Sequence, residues 1–161
     1  MANTTFQGPV RSENGFKNIT KDANGSVVTD ITLSTYTATI TVAATGTAHK
    51  EASIGIPSNF IPMAVAVTVT GATANNVNLV DIGTDADPDG FVDGLPTMAI
   101  NSTGFKGFFG CNGVLGMTGF AAGQTAGETA DEVEVTISDT AGAGGVLSLK
   151  FFGISSNSPT A

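Results

Sequence analysis

Strict alternation of apolar and small polar residues is the feature that most constrains the fold of this chain. In the run 36–43, Tyr36 and every second residue after it are apolar, and the positions between them are threonines. In the run Met63–Thr70, Met63 and three valines share one face, and alanines and threonines occupy the other. A period of two is typical of a β-strand with one face in a core.

Runs of this kind recur along the chain with turn signals about every 8–12 residues, and no stretch shows convincing helical periodicity. The pattern predicts an all-β chain: a single antiparallel β-sandwich, jelly-roll-like, of seven or eight strands. With 161 residues we expect one domain, divided into an extended N-terminal arm at 1–26 and the β-sandwich at 27–161. The predicted strands are Val27–Leu33, Tyr36–Ala43, Ala52–Ile56, Met63–Thr70, Val77–Ile82, Thr97–Ile100, Glu132–Ser138 and Val146–Ile154. In the strand at 132–138 the alternation predicts that Glu134 faces outward.

The arm has no strand periodicity. Gly8-Pro9 and Asn14-Gly15 interrupt it twice. Its scattered apolar residues have two interpretations: an ordinary terminus, or anchors that fold onto a neighbouring subunit. The apolar residues concerned are Phe6, Val10, Phe16 and Ile19.

The charge content favours a chain that is partly covered by other chains. Charged residues make up 12% of the sequence, about half the usual share. Residues 51–161 hold two basic and eleven acidic side chains, against four basic and three acidic ones in residues 1–50. With a single arginine and a net charge of −8, nucleic acid and anionic membranes are poor partners. A monomer coated in Thr, Ser and Asn is the alternative.

Little in the sequence points to catalysis or to an oxidising compartment. One cysteine, Cys111, excludes an intrachain disulfide, and one histidine, His49, leaves at most a single Cys–His pair. Residues 48–50 around His49 are predicted to be a polar turn, which does not support such a pair. No apolar run has signal-peptide or membrane-span length, so we expect synthesis in the cytosol. The glycine- and phenylalanine-rich stretch 104–113 is predicted to be a long loop. Its rings, with Phe120, either plug one end of the sandwich or form a contact loop at a symmetry axis.

The acidic turn 83–94 is the one motif with metal-binding potential. Carboxylates on alternate residues can wrap a hard cation, and Gly90 permits the sharp bend. The twelfth position of such a loop is Pro96, so the usual bidentate acid is missing. The alternative is a solvated turn whose carboxylates accept hydrogen bonds from neighbouring main-chain N–H groups. The calcium candidates are Asp85, Asp87, Asp89 and Asp93.

Three stretches are familiar when they are read together: residues 1–17, the segment Ile56–Pro62 that leads into the valine strand, and the acidic turn. Together they resemble small virion structural proteins of tailed bacteriophages, particularly marine ones. A weaker similarity lies in the final hairpin. The resemblance covers roughly residues 1–20 and 54–94, and it brings no catalytic residues with it.

The resemblance implies a capsid decoration (cement) protein that is not an enzyme. Such a protein is made in the host cytoplasm, sits on the capsid exterior as a homotrimer, and bridges subunits of the major capsid protein. The arm would then contact the capsid or a neighbouring subunit through Phe6, Val10, Arg11, Phe16 and Lys17. Two other classes stay open: a tail or fibre component or host-surface glycan-binding module with a jelly-roll head, and a calcium-dependent hydrolase.

Overall fold

The structure, a computed structural model, describes residues 17–21, 23–25, 27–42, 48–51, 60–84, 87–112, 133–139, 141–142 and 144–157. These residues form nine β-strands and no helix, as the predicted all-β class requires. None of the described residues therefore belongs to a helix long and apolar enough to cross a membrane. The strands are β1 Lys17–Lys21, β2 Val27–Val42, β3 Ala48–Glu51, β4 Phe60–Gly71, β5 Asn78–Gly83, β6 Met98–Ala99, β7 Gly104–Gly110, β8 Val133–Ile137 and β9 Gly145–Asn157.

The strands form two antiparallel sheets. One sheet has five strands in the order β1-β2-β9-β4-β7, and the other has four in the order β3-β8-β5-β6. The pairing is nested along the chain: β2 pairs with β9, β3 with β8, β4 with β7 and β5 with β6. From β2 to β5, each strand lies in the opposite sheet from the one before it. The connections therefore cross between the sheets.

Both sheets contribute their inner faces to one hydrophobic core. Ile40, Val67 and Leu149 of the five-stranded sheet are fully buried, as are Ile82 and Val135 of the four-stranded sheet. Burying each such side chain stabilises the fold by about 1.5–3 kcal/mol. The alternation predicted for β2 is confirmed between 37 and 42, where the inward residues are buried and the outward threonines are exposed. Two antiparallel sheets with a shared core are consistent with the predicted sandwich.

The first two predicted strands are one strand. β2 runs without a break from Val27 to Val42, and Ser34 and Thr35 do not turn the chain. The reason is tertiary: β9 pairs with β2 from Asp30 to Val42 in continuous register. A long partner keeps those two residues extended.

Two segments that we predicted to be irregular are also strands. The expected polar turn at 48–50 is part of β3, which pairs with β8. The expected loop at 104–113 contains β7, the edge strand of the five-stranded sheet. Glycine weakens strand propensity, but the pairing of β7 with β4 overrides it. The strand predicted at 52–56 lies outside the described residues.

Glu134 is more buried than the alternation of β8 indicates. The alternation of β8 places it outward, but it is only 3% exposed. β8 is an interior strand, and Glu134 lies opposite Lys50 of β3 and Gly83 of β5 in the Cα register. The sequence pattern shows which face of the strand Glu134 occupies, but cannot show that this face is covered.

The last part of the predicted arm belongs to the sheet. Residues 17–21 form β1, which pairs with β2 from Thr32 back to Val27. The division of the chain at residue 26 stays a prediction. The residues before Lys17 lie outside the described part of the chain.

Candidate functional site

Large hydrophobic side chains are exposed on the five-stranded sheet. Leu33 of β2 is 60% exposed, Met63 of β4 58%, and Phe105 and Phe108 of β7 66% and 59%. Isolated exposed apolar residues are ordinary, but a contiguous group marks an interaction surface.

Three of these side chains border one depression on the outer face of the sheet. Its volume is about 490 Å³, within the range of roughly 300–1,000 Å³ that ligand pockets occupy. Its floor is formed by small residues, since Ala64 lies level with Gly110 on the neighbouring strand. We call this surface the outer apolar patch, and define it by Leu33, Met63, Ala64, Phe108 and Phe152.

Two aromatic rings form one wall of the outer apolar patch. The ring centroids of Phe108 and Phe152 are 5.3 Å apart, with an angle of 62° between the ring planes. The rings belong to β7 and β9, which flank β4. They can meet because the outward residues of β4 between them, Ala64 and Ala66, are small. Lys150 Nζ lies 5.5 Å from the Phe152 centroid, which places a positive charge at the margin by a cation–π contact.

Met63 reaches the outer apolar patch because of a β-bulge. The alternation predicts that it faces inward with Val65, and this prediction is wrong. The register between β4 and β9 shifts between Pro62 and Ala64, so Met63 is out of phase with the valines that follow it. The main-chain N–H of Cys111 donates to the Met63 carbonyl at 2.9 Å. Bulges commonly redirect a side chain in this way.

The aromatic segment of β7 does not plug the sandwich. Phe105 and Phe108 are exposed, and of the three β7 rings only Phe109 packs partly against the core. A register shift between Val67 and Thr68 in the pairing with β4 contributes to this arrangement. Phe120 lies outside the described residues. The contact interpretation of this segment stays a prediction.

The acidic turn is closed by its own hydrogen bonds. The N–H of Thr84 donates to the Asp87 carbonyl at 2.8 Å, and the N–H of Asp87 donates to the Thr84 carbonyl at 3.1 Å. Asn112 holds the far end of the turn. Its side-chain oxygen accepts from the N–H of Asp93 and its side-chain nitrogen donates to the Asp93 carbonyl, both at 3.0 Å. This agrees with a turn that is stabilised within the chain.

The core anchors the turn from beneath. Phe91 is fully buried, and its ring centroid lies 5.1 Å from that of Phe151. Ile82 and Val92 exchange main-chain hydrogen bonds of 2.8 and 3.1 Å. The turn therefore has a fixed position relative to the sheets.

Three of the four calcium candidates, Asp87, Asp89 and Asp93, lie within the described residues. Burial raises the pKa of Asp87, and a side-chain hydrogen bond with Asp89 and the charge of Asp89 raise it further. Among the described residues, no group of three or more His, Cys, Asp or Glu side chains is arranged to hold a metal. Asp85 lies outside the described residues, so the calcium site and the solvated turn both stay predictions.

The thiol of Cys111 is not in its nucleophilic form. Burial raises the pKa of its thiol to about 12, so the sulfur stays protonated at neutral pH. The thiolate is the nucleophilic form of cysteine. The location of Cys111 therefore offers no support for nucleophilic catalysis.

Four of the five predicted arm residues, Phe6, Val10, Arg11 and Phe16, lie outside the described residues. The fifth, Lys17, begins β1. Their proposed contacts stay predictions. The outer apolar patch was not predicted, although the repeated phenylalanines between glycines at 104–110 were a signal of it.

No protein-family model matches the chain, and no curated protein matches it either. A chain in the solved structure of the cyanophage Pam1 capsid asymmetric unit has a similar fold, with a TM-score of 0.53 and 12% sequence identity. The match covers 94% of this chain and 93% of that chain. The two chains are therefore of similar length, and at this identity the likeness concerns the fold.

Proposed function

We propose that this protein is a structural component of a phage virion, without enzymatic activity, that decorates the capsid exterior and bridges subunits of the major capsid protein. The observation that carries the proposal is the likeness in fold, over nearly the whole of both chains, to a chain of a cyanophage capsid asymmetric unit. The sequence resemblance to phage virion proteins, carried by residues 1–17, 56–62 and 83–94, favours the same conclusion.

The strand topology supports the jelly-roll part of the proposal. When β1 is set aside, eight strands form two sheets, β2-β9-β4-β7 and β3-β8-β5-β6, with nested antiparallel pairs. Eight-stranded double sheets of this kind are the jelly rolls of many viral capsid domains.

The surface properties suit a protein that is attached to a shell. A second chain that bound to this surface would bury the exposed apolar side chains of Leu33, Met63 and Phe108. Each contact between the decoration and the shell adds buried area that must be lost before the shell opens. Attachment as a homotrimer multiplies weak single contacts through effective concentration. The net charge of −8 on the exterior would keep particles apart.

A tail component or a glycan-binding module is the second candidate, and the exposed ring of Phe108 is the observation that favours it. Tyr36 contributes less to such a site. It is half-buried and packs edge-on against Phe60, with ring centroids 4.7 Å apart.

Copy number per particle tests the proposal. Purified virions would be analysed by quantitative mass spectrometry, with the major capsid protein as the internal standard. A decoration protein that follows the shell symmetry should be present in hundreds of copies, whereas a tail component should be present in about a dozen or fewer. Labelling intact virions with an antibody against the chain would then test its placement on the exterior.

A copy number of about a dozen or fewer would overturn the decoration role and favour the tail role. A chain that is absent from purified virions would contradict both. Glycan-array binding together with low copy number would favour the host-surface module.

A further inference from the structure

The described chain begins beside the outer apolar patch. Lys17, the first residue of β1, is the Cα partner of Thr32 on β2. The next residue on β2 is Leu33, which forms the rim of the patch. The segment of residues 1–16 therefore joins the sheet at the level where the patch starts.

That segment has the length and the side chains to cover the patch of a neighbouring molecule. Sixteen extended residues span about 50 Å at roughly 3.3 Å each. The patch crosses from β2 to β7, which is three strand spacings or about 14 Å. The segment carries Phe6, Val10 and Phe16, and the opposite charges of its two charged side chains, Arg11 and Glu13, cancel. A nearly neutral apolar segment matches an apolar surface.

We propose that the outer apolar patch of one copy binds the N-terminal segment, residues 1–16, of a neighbouring copy. A single chain leaves Leu33 and Phe108 about 60% exposed, and the segment of a second molecule would cover them. An exchange of this kind is heterologous, because each copy donates a segment and receives one. Heterologous contacts close into rings or continue as filaments, and a three-membered ring closes the exchange. The inference rests on the proposed function, because it identifies the self-association surface of the decorating homotrimer.

Two full-length variants test the exchange. The patch variant carries Leu33→Ser and Phe108→Ser, and the segment variant carries Phe6→Ser and Phe16→Ser. Native mass spectrometry and sedimentation velocity would measure the oligomer. We expect the wild type to be trimeric and each variant to be monomeric, with self-association weakened about 100-fold or more. Because an apolar contact carries little Coulomb energy, 0.5 M NaCl should leave the wild-type oligomer intact.

Mixing the two variants identifies the donor and the acceptor. The patch variant keeps an intact segment and the segment variant keeps an intact patch, so the mixture should contain one-to-one pairs that neither variant forms alone. Thr39→Ser, on the polar part of the same sheet face, is the matched control and should remain trimeric. Circular dichroism would verify that each variant is folded, which is expected because Leu33 and Phe108 are exposed.

Several results would overturn the exchange. A monomeric wild type would do so, as would a patch variant that keeps the wild-type oligomer, or a mixture that forms no pairs. Binding to virions stripped of this chain would be measured separately. If the patch variant stayed trimeric and lost particle binding, the patch would contact the capsid, and only the exchange would fail. If trimers exchanged segments but never bound particles, the decoration role would fail and the exchange would stand.

Discussion

The acidic turn and the outer apolar patch both lie at the surface, but hydrogen bonds within the chain stabilise the turn, whereas the patch exposes large apolar side chains to water. In the turn, Thr84 and Asp87 pair their main-chain groups, and Asn112 pairs with Asp93. In the patch, Leu33 and Phe108 leave more than half of their surface to water. The acidic turn is the most conspicuous motif of the sequence, but hydrogen bonds within the chain stabilise it. Exposed apolar area is therefore a better guide to a candidate interface here than a conspicuous composition.

Two phenylalanines give the largest expected contrast between these regions. Phe91, beneath the turn, is fully buried, whereas Phe108, on the patch, is 59% exposed. Phe91→Ala should lower the free energy of unfolding by about 3–5 kcal/mol, because it leaves a cavity against Phe151. Phe108→Ala should lower it by about 1 kcal/mol or less. Guanidinium denaturation would measure both, and equal losses would contradict the placement of Phe91 in the core and Phe108 on the surface.

Gly83→Ala should produce the next largest effect. A Cβ at Gly83 would meet the main chain of Asp87 and Pro88, which close the turn over it. Neither main-chain segment can move without breaking the turn, so we expect a loss of about 2–3 kcal/mol in the free energy of unfolding. Gly110→Ala, on the floor of the patch, is the matched control. A Cβ there meets no atom within 4 Å, and the change should stay within about 0.5 kcal/mol. A tolerated Gly83→Ala would show that the turn is loosely held.

Asp87→Asn should produce a smaller effect that depends on pH. The pKa of Asp87 in the folded protein is raised above its ordinary value of 3.8 by burial and by Asp89. Asp87 therefore favours the folded state below about pH 4, and this contribution is lost as the pH rises through the raised pKa. The Asn variant lacks this dependence, so its Tm relative to the wild type should increase between pH 3 and pH 7. We expect about 1 °C, since Asp87 is half-buried and screened. A pH-independent difference would contradict the contact between Asp87 and Asp89.

Calcium should have the smallest effect. The described hydrogen bonds already close the turn, so we expect the same Tm in 5 mM calcium and in 5 mM EDTA. A bound ion would instead stabilise the folded state by mass action, by about 2.7 kcal/mol at 100 times its Kd, and would raise the Tm. Magnesium is the control for non-specific ion effects. A saturable rise in Tm with calcium alone would show a site there, and its loss in Asp85→Asn would assign a ligand to that position.

Much of the strand arrangement could be predicted from the sequence because alternation reports burial directly. The inward residues of β2 and β9, such as Ile40 and Leu149, are buried as their period of two predicts. The prediction of two separate strands at 27–33 and 36–43 was wrong, because the pairing with β9 spans the residues between them. For the same reason β7 was predicted to be a loop, since its glycines conceal a pairing that only β4 provides.

The outer apolar patch could not be predicted in the same way. Met63 belongs to it because of a register shift between Pro62 and Ala64 that leaves no mark in the alternation. Phe108 and Phe152 lie 44 positions apart in the sequence and meet only because β7 and β9 flank the same strand. Glu134 shows the converse error, since its polarity predicted exposure and the fold covers it.

By itself the sequence determined that this chain is built of strands, which faces of most of them enter a core, and that the acidic residues at 83–94 form a turn. Periodicity and turn chemistry are local, and local sequence specifies them. The tertiary structure decided which strands are neighbours, where the register slips, and which apolar side chains remain uncovered. Those outcomes depend on contacts between distant segments, so the outer apolar patch becomes visible only when the two sheets are assembled.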